Sequence, residues 1–157
     1  MSNELRKALL KVFDECLRPK GFRRKASTWY LEREEAILLV NLQRSQWGPQ
    51  YYVNLAVWLK ALGACSFPKQ HLCHVRERLC SLVGKQLSSA LSFEGFAGSI
   101  PEHTKQTIVD ALVQHGIPFL ERWSTLRGVR EMIERSQTRP LWATRAVCEH
   151  LGINPPP

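Results

Sequence analysis

Arg18, Lys20, Arg23, Arg24 and Lys25 place five cations in a short stretch without an intervening acid, and Trp29 and Tyr30 follow closely. Guanidinium groups hold phosphate or carboxylate through a two-pronged hydrogen bond, and neighbouring rings can stack bases, so this run suits an acidic partner. The same residues also suit a solvated sheet edge, where cations keep foreign strands from pairing. His71, Cys73 and His74, flanked by Cys65 and Cys80, contain donors able to bind zinc. Structural zinc sites bring paired ligands from short loops at small separations, and this spacing does not, so buried thiols and surface imidazoles are expected instead of a metal site. A metal-independent ribonuclease could use His71 and His74 for proton transfer with Arg76 and Arg78 on phosphate, but residue types alone carry that reading. No GxSxG elbow, phosphate-cradling glycine loop, HExxH or dinucleotide fingerprint is present. The two aspartates, Asp14 and Asp110, both lie in helical patterns, which argues against an aspartate-rich two-metal centre. The expectation is a chain that is not an enzyme, with no catalytic residues, no metal and no cofactor.

The whole chain agrees with an acidic partner. Lys and Arg outnumber Asp and Glu by 22 to 14 over 157 residues, a formal net charge of +8. The excess is concentrated: between Ala36 and Phe93 only Glu77 opposes six basic side chains, whereas from Pro101 onward seven bases meet six acids. With 44% of residues apolar and 23% charged, a globular fold is expected. Met1 to Leu10 is charged and amphipathic and lacks the apolar core of a secretory signal, and no apolar run approaches the roughly 20 residues of a membrane span. Five cysteines without CxxC spacing suit reduced thiols. A cytoplasmic location without a membrane partner is therefore expected.

These groups must be positioned by local structure. Leu5, Leu9, Val12, Phe13, Cys16 and Leu17 recur at helical spacing, and Pro19 with Gly21 predicts a stop at Arg18. Thr28 to Arg33, Ala36 to Arg44 and Tyr51 to Leu59 read as three antiparallel strands joined by short turns. Symmetry about those turns sets Leu38, Val40 and Leu42 against Val57, Leu55 and Val53, with Trp29 and Leu31 on the same core face. The other face collects Thr28, Tyr30, Ile37, Leu39, Asn41, Gln43, Tyr52, Asn54 and Trp58. Asn41 then lies opposite Asn54, and the two amides must either pair or meet water or a ligand. Trp47-Gly48-Pro49 can be a rigid turn or a contact point.

His71 to Leu79 alternates, with Cys73, Val75 and Leu79 on one side and His74, Arg76 and Arg78 on the other, which favours a fourth strand. Leu72, Val75, Leu79 and Leu82 equally fit a helical stripe. Ser88 to Phe93 is a candidate fifth strand. Ser99 and Glu102 have capping-box spacing for a helix that ends before Gly116, Pro118 opens another through Trp123, Ser124 can cap a third, and Thr138 with Pro140 can start a fourth stopped by Gly152. The fold class expected is α+β: an N-terminal helix, an antiparallel sheet of three to five strands, then C-terminal helices. One domain over 1-152 and a Pro-rich tail over 153-157 complete the organisation.

The stretch from Leu17 to Lys25, then Trp29-Tyr30, then Val40 to Gly48 and Tyr51 to Leu55 together resemble the bacterial family catalogued as domain of unknown function 4304, in both order and spacing. Cys73-His74-Val75-Arg76 and the segment from Pro118 to Glu134 extend the likeness over most of the chain. The resemblance carries no catalytic motif. It implies a neighbour of polymorphic toxins, acting as an immunity protein. The expected function is thus binding of a cognate toxin domain or other acidic-faced protein through Arg23, Arg24, Arg44, Trp47, Tyr52 and Trp58. The alternative is a nucleic-acid-binding module in which arginines meet phosphates and Trp29, Tyr30 or Trp47 stack on bases.

Overall fold

The computed structural model describes residues 2–135 and 145–153. Helix α1 (Ser2–Leu17) buries Leu5, Leu9, Val12, Phe13 and Leu17 along one stripe. It ends where the sequence predicts: Arg18–Lys20 tightens into a 3-10 turn, and Gly21, at φ +95°, closes it by donating its N–H to the Arg18 carbonyl at 3.0 Å.

Five strands follow: β1 (Arg23–Lys25), β2 (Thr28–Glu32), β3 (Ala36–Arg44), β4 (Tyr51–Leu59) and β5 (Val75–Arg78). They lie in chain order, every neighbouring pair antiparallel. The expected register holds, with Leu38, Val40 and Leu42 opposite Val57, Leu55 and Val53, and Asn41 opposite Asn54. The short β1, made from the basic run itself, is an additional edge strand. Arg23, Arg24 and Lys25 are all exposed, so it has no buried side chain to create a strand pattern in sequence.

The strand expected over His71 to Leu79 is shorter than its alternation. Gln70–Leu72 forms a 3-10 turn, the ladder holds only Val75–Arg78, and Leu79 opens helix α2 (Leu79–Val83). Cys73 therefore lies on the opposite side of the sheet from Val75, packed with Ile37, Leu39 and Ala56, while Val75 and Leu79 enter the main core. Ser88 to Phe93 is not a strand. Helix α3 (Lys85–Ala90) takes its first part because Leu87 and Leu91, one helical turn apart, are both buried, and Ser92 contributes only a bridge to Gln50.

Three expectations about the later helices are corrected. Pro101 stands before helix α4 (Glu102–Ala111) in extended geometry, its carbonyl accepting the Thr104 and Lys105 N–H groups, and Ser99 caps nothing. The chain does not stop before Gly116: a π turn (Leu112–Gly116) leads directly into α5 (Ile117–Arg122). Pro118 has no N–H to give that helix, and the wider turn before it relieves the ring of its usual clash. Gly116 keeps helical dihedrals, and a Cβ there would come within 3.3 Å of Leu79, so this glycine permits close packing instead of a stop. Helix α6 (Leu126–Arg135) is capped by Thr125, whose Oγ1 accepts the Gly128 N–H at 2.9 Å, whereas Ser124 Oγ donates back to the Glu121 carbonyl. Helix α7 (Arg145–Leu151) ends at Gly152 as expected; its expected start at Thr138 and Pro140, and the Pro-rich tail from 154, lie outside the described residues.

Among the described residues, the buried helical side chains all join one cluster, together with Trp29, Leu38, Val40, Leu55 and Val57 from one sheet face. The opposite face carries the second, smaller cluster of Ile37, Leu39, Ala56 and Cys73, which takes in no residue of the described α-helices.

Candidate interface on the open face of the sheet

Residues directly opposite in antiparallel strands share a face, so the register writes out the open face row by row. One row runs Lys25, Thr28, Asn41, Asn54, Arg78 from β1 to β5. The next runs Arg23, Tyr30, Leu39, Ala56, Arg76. Each row begins and ends in a cation, across four strand spacings or about 19 Å.

The floor of the first row is a chain of amides. Asn54, 4% exposed, gives its Nδ2 protons to Asn41 Oδ1 at 3.0 Å and Gln43 Oε1 at 2.9 Å, and Asn41 Nδ2 donates to Thr28 Oγ1 at 2.9 Å. The amides therefore pair with each other, which removes the desolvation cost of burying them and locks three strands side by side. The two row-end cations rest on rings. Arg78 lies 4.1 Å over Tyr52, and Lys25 Nζ lies 4.5 Å over Phe67. Among the described residues, Arg23, Lys25, Arg76 and Arg78 form no ion pair with a carboxylate. Arg76 instead donates to the His71 carbonyl at 2.9 Å.

Beyond the second row the face is roofed by residues 60–74. Tyr30 Oη donates to the Pro68 carbonyl at 3.2 Å, Trp58 Nε1 donates to the Gly63 carbonyl at 2.9 Å, and Cys73 closes the apolar floor. His74 ties the end of this segment to β4: its Nδ1 accepts the Leu59 N–H at 2.9 Å, and its ring lies 4.3 Å from that of Trp58. Burial lowers the His74 pKa, in keeping with a neutral ring that accepts. Burial likewise pushes the Cys73 thiol up to about 12, despite Arg76 nearby. These are structural roles. His74 does not stand as an accessible proton carrier, and among the described residues no group of His, Cys, Asp and Glu is placed to hold a metal ion.

Of the six contact residues expected from sequence, Arg23, Tyr52 and Trp58 do lie on this face. Trp58 is half-buried and engaged with Gly63 and His74. Arg24 points the other way, since successive strand residues face opposite sides, and its Nε donates to Asp14 of α1 at 3.1 Å. Asp14 also accepts from Trp29 Nε1 at 2.9 Å and pairs with Arg18. Burial alone would raise the Asp14 pKa, but the indole N–H and the two guanidinium groups outweigh it and hold the carboxyl low. Arg44, opposite Tyr51, also lies on the helical side, beside Asn3 and Arg6. Trp47 sits in the turn after β3, 88% exposed. The sequence-derived set is thus split, and the row-end residues Lys25 and Arg78 with Gln43 stand in place of Arg24 and Arg44. The signals needed were the pairing of Arg24 in β1 with the buried Trp29 and the alternation of β3, which puts Arg44 on the side of Leu42.

A family model matches residues 13–122. The chain belongs to the domain of unknown function 4304 family. The DUF4304 match spans α1 from Phe13 through α5 and so contains the whole sheet, both cationic rows and the roof over them. No curated protein and no solved structure matches the chain. No helix among the described residues is long and apolar enough to cross a membrane.

Proposed function

We propose that this chain is a non-enzymatic protein-binding domain of the cytoplasm that uses the open sheet face to grip an acidic surface, with a cognate toxin domain as its partner and neutralisation of that toxin as its role. The observation carrying this reading is the row Lys25, Thr28, Asn41, Asn54, Arg78: two cations without acidic partners among the described residues, held on rings at either end of a hydrogen-bonded polar floor. Rigid, ring-backed arginines and tyrosines are the side chains that anchor protein interfaces, because little rotamer freedom is lost on binding. Charge complementarity then speeds encounter and sets the partner's orientation.

Nucleic-acid binding is the weaker reading for a specific reason. Of the rings that would stack on bases, Trp29 is buried against Phe13, and Tyr30 is tied to Pro68 and set edge-on to Phe67. Trp47 alone of that trio is exposed, and it sits in the turn outside the cationic rows. A stacking platform needs several free rings along a cationic track.

The test is protection of cells. Co-expression of the wild-type chain with the toxin encoded beside it should restore growth, and the Lys25→Glu/Arg78→Glu double variant should not, at equal protein level. Equal protection by both, or none by the wild type, contradicts the proposal. Tight, salt-sensitive binding of RNA or DNA by the wild type would favour the alternative.

A further inference from the structure

Beside the second cationic row, a groove of about 830 Å³ opens under residues 63–67, with Tyr30, Leu31, Ile37 and Phe67 among its walls and Arg23 at its side. It lies before β1 begins: the ladder with β2 starts at Arg23 opposite Tyr30, so Leu31 and Glu32 have no partner in β1. We propose that this groove is a binding site for a small amphipathic monoanion, a molecule with an apolar body and one terminal carboxylate or sulfonate.

The volume falls in the range of ligand pockets, roughly 300 to 1,000 Å³, and rings and aliphatic side chains supply the surface an apolar body needs. Charge selects the rest. Among the described residues, three charged groups line the groove: Arg23, Lys60 and Glu32. Lys60 is already satisfied, its Nζ donating to Glu32 Oε1 at 2.9 Å and to the Arg33 carbonyl at 2.6 Å. That leaves Arg23, which forms no ion pair among the described residues, and a net charge of +1 on the lining (two cations, one anion). One free guanidinium matches a single carboxylate or sulfonate in a two-pronged hydrogen bond. A dianionic phosphate would leave one charge uncompensated, and a cation would meet no free acid. The Tyr30 hydroxyl is spent on the Pro68 carbonyl, so it holds the roof in place rather than the ligand. The groove adjoins the Lys25–Arg78 row and shares Phe67 with it, but its test reads a small probe on the purified chain and involves no toxin.

The probes are 1-anilinonaphthalene-8-sulfonate, read by fluorescence, and octanoate as competitor. The wild-type chain should give saturable one-to-one enhancement that octanoate reverses. Arg23→Ala should weaken the probe by about tenfold or more, the loss expected of a charge-assisted hydrogen bond. Ala64→Trp, which fills the groove from an exposed position, should abolish the signal, and Arg127→Ala, on α6 and outside the groove lining, should match the wild type. Far-ultraviolet circular dichroism and urea unfolding midpoints should be the same for all four proteins, which separates site binding from loosened structure. Absence of saturable enhancement overturns the proposal, as does retention of wild-type affinity by either Arg23→Ala or Ala64→Trp.

Discussion

Asn54 illustrates how much one side chain can hold. Both of its amide protons are used, on Asn41 and Gln43, and it is buried at the middle of the sheet. Asn54→Ala takes the donor from the half-buried Asn41 oxygen, while exposed Gln43 can turn to water, and the loss expected is about 1–3 kcal/mol, measured from urea unfolding midpoints. His74 makes a second residue-scale prediction, in pH. Its folded pKa is lowered by burial, so the unfolded chain takes up the proton first. Its contribution is complete above the ordinary imidazole value of about 6.5 and declines as pH falls below it. Urea midpoints should therefore fall between pH 7.5 and pH 5.5 in the wild type. That fall should be smaller in His74→Asn, which keeps an acceptor and cannot titrate in that range; equal falls would exclude the His74 assignment. The Asn41–Asn54 pairing was legible because hairpin symmetry fixes register, whereas the role of His74 was not. It depends on where residues 60–74 return to the sheet, and no local pattern encodes that return.

At the scale of elements, helix boundaries depend on backbone approaches that a sequence pattern hides. Gly116 looks like a terminator but is a contact point, and the helix passes through it by widening into a π turn before Pro118. Gly128 is the sharper case. A Cβ there would fall 2.2 Å from the Arg122 carbonyl oxygen, which is backbone and cannot rotate away. Gly128→Ala, which improves helix propensity by nearly 1 kcal/mol elsewhere, should here destabilise by about 1–3 kcal/mol in thermal or urea unfolding. A neutral or stabilising result would mean that the α5–α6 corner is not held this close. The three long strands were readable because each alternates a buried and a mixed face. β1 was not, because all three of its side chains are exposed, and without it the opposite directions of Arg23 and Arg24 could not be foreseen.

For the whole molecule, the division of labour is between two sheet faces. One is sealed by the helices into the main core. The other ends in cations at both edge strands, with an amide floor between them and a roof over its apolar part. Composition foretold the basic excess in the sheet half, but only the strand order turns it into two parallel rows on one side. The proposed partner is expected to sit on this second face. Isothermal titration calorimetry of the purified chain against the toxin domain proposed as its partner tests that most directly. One-to-one binding is predicted, weakened about tenfold or more by Arg78→Ala and unchanged by Arg127→Ala on the helical side. No binding by the wild type, or equal affinities for wild type and Arg78→Ala, would contradict it.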